Sequence, residues 1–209
     1  MHPRRDAPIS AIDVQLAGVP PLAVDPDGLA DIIARKLANG SAPSLSGWTG
    51  ELLLPLIDSP EAMQLLARVT TMIISGQVNR GVARLLLASR LLPLGKPGST
   101  FLHPLIRPIA WGETFYKLAA LYALGQCHGL GSVFAPLQLA VGVPGGVEIA
   151  VHTLRSAAEV PGNLLVQLDI VNAFNTRDRL RILRSVLARP ELRPRSEERR
   201  VGKECRSRW

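Results

Sequence analysis

Cysteine is almost absent from this chain: Cys127 and Cys205 are the two thiols in 209 residues. Two thiols build no disulfide framework, and Cys127-His128 has no second ligand pair with which to close a zinc site. That usage points to an intracellular protein. Aromatic residues are scarce as well, at 4%, yet 47% hydrophobic against 20% charged residues is a globular balance and not a disordered one. A signal peptide is missing, because no apolar segment follows the basic residues of MHPRRDAPIS. An unbroken hydrophobic span is missing too. The stretch from Leu118 to Val147 carries no Asp, Glu, Lys or Arg, but Gly125, Gly129, Gly131, Pro136 and Pro144-Gly145-Gly146 divide it into loops and turns. A membrane protein is therefore not expected, and no internal repeat is visible.

Charge is unevenly spread. The formal net charge is +7, and the last fifteen residues, RSEERRVGKECRSRW, hold six basic residues against three acidic ones. This tail has no apolar periodicity and reads as the translation of a sequencing-adapter oligonucleotide. It is set aside before fold reasoning, and its +3 leaves +4 for residues 1–194. The rival reading is a natural basic tail that binds nucleic acid.

Three segments are distinguished. Residues 1–25 are punctuated by Pro and Asp without a sustained period, residues 26–190 carry the patterned elements, and residues 191–209 form the tail. LADIIARKLANG (29–40) puts Leu29, Ile32, Ile33 and Leu37 on one helical face and stops at Gly40. A loop then leads to the apolar segment ELLLPLID. Ser59-Pro60-Glu61 supplies an N-cap and a first-turn proline for the next helix, with Met63, Leu66, Val69, Thr70 and Ile73 inward. A further helix is expected from Val78 to Ala88.

RLLPLGKPGSTFLHPLIRPIA (90–110) has two short apolar runs around a Gly-, Pro- and Ser-rich turn, the pattern of a β-hairpin. WGETFYKLAALYALG is helical, with Phe115, Leu118, Ala119, Tyr122 and Ala123 on one side. A helix over VEIAVHTLRSAA is expected to turn Val147, Ala150, Val151 and Leu154 inward. The strand LLVQLDIV and a last helix from Thr176 to Ala188 complete the pattern. Helices and a few strands in irregular order predict an α+β fold.

Asp169 stands out because the apolar run LLVQLDIV delivers a single carboxylate. An ionised carboxylate removed from water needs a partner. Either Asp169 caps Val171 or Asn172 in an Asx-turn, or it ligates a metal ion. Phe174 on its own reads as a core residue, and Lys96 and Arg107 as solvated charges. Val-Pro-Gly-Gly before a helix suits a phosphate, but the spacing matches neither a dinucleotide fingerprint nor a Walker loop.

Four stretches, in order, resemble the N-terminal half of a reverse transcriptase domain of the non-LTR retrotransposon kind. They are SGWTGELLLPLI, GKPG with IRPIAWGETFYKLAA, QLAVGVPGGVEIAVHTL and LDIVNAFNT. The resemblance covers roughly residues 26–190 and implies a partial right-hand polymerase fold, with helix-rich fingers, a β-hairpin and an incomplete palm sheet. It implies an RNA-directed DNA polymerase that works on an RNA template, a DNA primer and deoxynucleoside triphosphates with Mg²⁺. Asp169 takes the place of the first catalytic, metal-binding aspartate, and Ile170 offers its backbone carbonyl to the metal. Phe174 takes the steric-gate position under the incoming sugar. Arg107 and Lys96 reach the triphosphate, a task that suits a guanidinium fork. The glycine-bearing loop 141–146 is placed against the template.

Polymerisation requires two divalent cations about 3.5–4 Å apart, and the family holds them with a further Asp-Asp pair. The 209 residues contain no Asp-Asp pair. The chain is therefore expected to be a fragment, catalytically inactive by itself. Two alternatives remain open at this point: a non-catalytic RNA- or DNA-binding remnant, and an unrelated helical interaction domain.

Overall fold

The computed structural model describes residues 22–37, 40, 42–98, 100, 102, 106–134, 136–140, 142–170, 178–189 and 192. The fold is α+β: eight helices, a 3₁₀ turn and one two-stranded antiparallel ribbon among the described residues. The chain divides into two compact units between Gln126 and Cys127.

The first unit contains α1 (Pro26–Lys36), α2 (Gly50–Leu53) running into a 3₁₀ turn (Leu54–Asp58), α3 (Pro60–Ile74) and α4 (Arg80–Leu87). The ribbon, β1 (Ser89–Gly95) with β2 (Ile106–Gly112), follows, and α5 (Thr114–Gly125) ends the unit. Caps decide where these helices begin. Asp25, Thr49, Ser59 and Asn79 each accept a backbone N–H of the first turn with a side-chain oxygen, which satisfies a donor the helix cannot pair internally. The expected Ser59-Pro60 start is among them. Helix α1 stops at Lys36, short of the expected Gly40, because Leu37 swings to extended backbone and buries its side chain.

The core is built by α1, α3 and α5. Leu29, Ile33, Leu53, Ile73, Ile74 and Leu118 are fully buried, each contributing roughly 1.5–3 kcal/mol of transfer free energy. The inward face of α3 differs from expectation at one position. Val69 is 44% exposed, and Ala67 and Ile74 are buried in its stead. The helix is rolled toward Ile74 because α1 and α5 cover that side. Thr70, buried on the same face, satisfies its hydroxyl by donating to the Leu66 carbonyl at 2.8 Å.

The second unit holds α6 (Leu130–Phe134), α7 (Gly146–Ala158) and α8 (Arg179–Leu187). Asp178 caps α8, which begins three residues later than expected. Two expectations are corrected here. The face of α7 expected to be inward is open: Val147 is 71% exposed, and Val151 and Leu154 are exposed as well. Ala150 is half-buried while the other three stay open to solvent, so an amphipathic pattern alone does not bury a face. The expected strand LLVQLDIV forms no ladder over its described residues. Positions 163–170 are exposed without regular secondary structure, with Leu164 at 84% and Leu168 at 87% exposure. A strand exists only where another strand takes its N–H and C=O groups, and no described strand lies beside this one. No described helix is long and apolar enough to cross a membrane.

Candidate nucleic-acid interface

Register decides which side chains of the ribbon can act together. Arg90 pairs with Trp111, Leu92 with Ile109, Pro93 with Pro108 and Leu94 with Arg107. Two facing prolines have no N–H to exchange, so Pro93↔Pro108 occupies a position where neither strand donates to the other, and the ladder survives both. Pleating then places Arg90, Leu92 and Leu94 on the same face as Arg107, Ile109 and Trp111. Lys96 lies just past β1, two residues beyond Leu94, and both it and Arg107 are exposed. The predicted phosphate-binding pair is thus gathered at the turn end of one ribbon.

The other end is anchored. Helix α5 starts at Thr114 and not at Trp111, because Trp111 and Gly112 belong to β2 and Glu113 caps the helix. Glu113 is only 5% exposed. Its Oε1 accepts from the Ser44 hydroxyl at 2.9 Å, the Ser46 hydroxyl at 2.6 Å and the Thr114 N–H at 3.1 Å. Hydroxyl and amide donors solvate a buried carboxylate in place of water. The Thr114 hydroxyl donates to the Trp48 carbonyl at 2.6 Å, and the Trp48 ring meets Phe115 edge-on at 5.2 Å. Residues 44–48 are therefore the brace that holds the base of the hairpin.

Asp169 and Ile170 lie in the second unit, both exposed. The Asp169 carboxylate and the Ile170 carbonyl are oxygen donors of the kind Mg²⁺ prefers. Among the described residues, however, no group of three or more His, Cys, Asp or Glu could hold a metal ion, so these two do not complete a site. Val171 and Asn172, the expected Asx-turn partners of Asp169, fall outside the described residues, as does Phe174.

The glycines before α7 serve the loop itself. Gly145 takes φ +65°, and a Cβ on Gly146 would collide with the Leu139 carbonyl oxygen. A Cβ on Gly131 would sit 2.7 Å from the Gly142 oxygen. Backbone approaches backbone at both places, which only glycine allows.

Sequence reading passed over Trp111, assigning it to a helix. Lys117 on α5 places its Nζ 5.5 Å from the Trp111 ring centroid, a cation–π distance, and Arg90 faces the same tryptophan across the ribbon. The available signal was alternation: Arg107, Ile109 and Trp111 share a period of two.

No family model matches the chain, and no solved structure matches it. The chain is similar to the 132 kDa protein of the retrotransposable element SLACS from Trypanosoma brucei gambiense, 36% identical over 166 residues. The match covers 79% of this chain and 13% of that protein, so the chain spans a small part of its relative's length. The chain is thus similar to one segment of a retrotransposable-element protein.

Proposed function

We propose that this relative of a retrotransposable-element protein is the fingers and first palm segment of an RNA-directed DNA polymerase of a mobile element. The observation that carries the reading is the match to the SLACS protein across 79% of the chain. The order of the four reverse-transcriptase-like stretches supports it, as does the exposed Arg107 set in register on a braced hairpin. Arg107 binds the triphosphate of an incoming deoxynucleotide by paired N–H donors, with Lys96 as a second cation. Phe174 contacts the sugar. Asp169, with the Ile170 carbonyl, is the part of a Mg²⁺ site that this segment offers, and RNA template and DNA primer are its partners.

A complete two-metal centre activates the primer hydroxyl and stabilises the leaving pyrophosphate. With Asp169 as its one carboxylate of that kind, the 209-residue polypeptide does not polymerise by itself. A second reading is favoured by the exposure of Asp169 among described residues that hold no group of three or more potential metal ligands: a non-catalytic module that binds RNA or DNA.

The test has two parts. Deoxynucleoside triphosphate binding by the purified chain should weaken about tenfold in Arg107→Ala, the size of a lost charge-assisted contact; unchanged binding would remove Arg107 from the site. Incubation with primed RNA, Mg²⁺ and all four deoxynucleotides should give no extension. Extension would overturn the claim of inactivity.

A further inference from the structure

The base of the hairpin carries chemistry that the triphosphate role of its turn end does not use. From residue 62 to residue 112 the chain has no Asp or Glu, while Arg68, Arg80, Arg84, Arg90, Lys96 and Arg107 supply six positive charges. The carboxylate that ends this stretch, Glu113, is buried and occupied by Ser44, Ser46 and Thr114. The chain here is thus cationic, with no acidic side chain interleaved in sequence.

Within it one aromatic ring stands between two cations. Trp111 is half-buried, faces Arg90 directly across the ribbon, and has Lys117 over its ring. Both cations are exposed. Four residues along β2 separate Trp111 from Arg107, about 13 Å of strand, so this cluster is a separate place from the proposed triphosphate contacts.

We propose that Trp111, Arg90 and Lys117 form a stacking site for an unpaired nucleobase of a single-stranded nucleic acid, with the two cations on its flanking phosphates. Phosphate binding alone calls for no aromatic ring. A ring flanked by cations on a strand face is the arrangement that tracks a single strand, because every base offers a π-face and every linkage a negative charge. A duplex keeps its bases stacked on each other and has none to offer the ring. The inference rests on the preceding reading only for the class of partner, a nucleic acid.

The experiment uses the full chain and three probes: a single-stranded RNA of about 12 nucleotides, a fully paired duplex of the same length, and heparin, a polyanion without bases. Trp111→Ala should weaken single-strand binding about tenfold, the size of one lost base–aromatic stack, and leave heparin binding close to wild type. Trp111→Phe should keep most of the affinity. Arg90→Ala should weaken all three probes and flatten the salt dependence.

If RNA binds equally well to Trp111→Ala, the stacking site is wrong while the nucleic-acid reading stands. If none of the three probes binds, both fail. Should the alanine variant not fold, tryptophan emission decides. RNA should quench it in the wild type, and Trp111→Phe, in which Trp48 and Trp209 still emit, should lose most of that quenching, whereas quenching that persists in full would assign the contact elsewhere.

Discussion

The backbone N–H of Asp25 donates to the hydroxyl of Tyr122 at 2.8 Å, joining residues 97 apart. Asp25 is the N-cap of α1, and its carboxylate accepts from the Gly28 N–H at 2.7 Å. One residue earlier, the Val24 N–H donates to the Thr71 hydroxyl on α3 at 3.3 Å. The approach to α1 is thus tied to α5 and α3 before the helix begins. Tyr122→Phe keeps the ring and removes the acceptor, leaving a part-buried N–H without its partner. A loss of about 1–3 kcal/mol is expected, read as a lower urea midpoint with an unchanged slope.

Glu113 should be worth more to the fold than either serine that serves it. Removing one donor, in Ser46→Ala, leaves the carboxylate with Ser44 and Thr114, and the exposed side of the site admits water to replace it. Glu113→Ala takes away the acceptor that the Ser44 and Ser46 hydroxyls share and removes the cap of α5 at once, with an expected cost of about 2–4 kcal/mol. Thermal unfolding of the two variants side by side checks the ranking. Equal losses would mean that the network is not centred on the carboxylate.

Gly146→Ala should disturb the loop ahead of α7 far more than Gly47→Ala disturbs the loop ahead of α2. A Cβ at Gly47 meets nothing within 4 Å, although its φ of +87° strains any replacement. A Cβ at Gly146 runs into the Leu139 carbonyl, a backbone atom that cannot rotate away. Hydrogen exchange is expected to speed up at the Gly146 N–H, which donates to the Val143 carbonyl. Unaltered protection there would show that the loop can open to make room.

Residues 164–170 should exchange their amide hydrogens almost as fast as an unfolded peptide. Their side chains are exposed and no described strand pairs with them, so no ladder slows exchange. Strong protection of this segment in a monomer would reveal a pairing partner and restore it as a strand.

Leu118→Ala removes a side chain with no exposure at the meeting of α1, α3 and α5. The expected cost is about 2–5 kcal/mol from lost burial and the cavity left behind, readable in the same denaturation series. A smaller loss would indicate that the three helices close over the gap.

What the sequence determines by itself is local. Capping residues ahead of a 3.6-residue apolar period place α1 and α3, because a side-chain oxygen at the N-cap and an apolar stripe act within a few residues of each other. The hairpin is equally legible from two apolar runs around a Gly-Pro turn. The triphosphate candidates Lys96 and Arg107, named from the family resemblance, therefore lie at the turn end of one ribbon.

Tertiary structure decided the rest. Val69 and Ile74 both fit the helical stripe of α3, and only the placement of α1 and α5 selects which is covered. Trp111 could begin a helix or end a strand. The buried demand of Glu113 for the hydroxyls of Ser44 and Ser46, 69 and 67 residues away, fixes the helix start behind it and leaves Trp111 on the ribbon facing Arg90. At LLVQLDIV the same logic runs the other way. Strand propensity is a capacity to pair, and without a described partner it produces an exposed segment bearing Asp169 in place of a rigid palm strand.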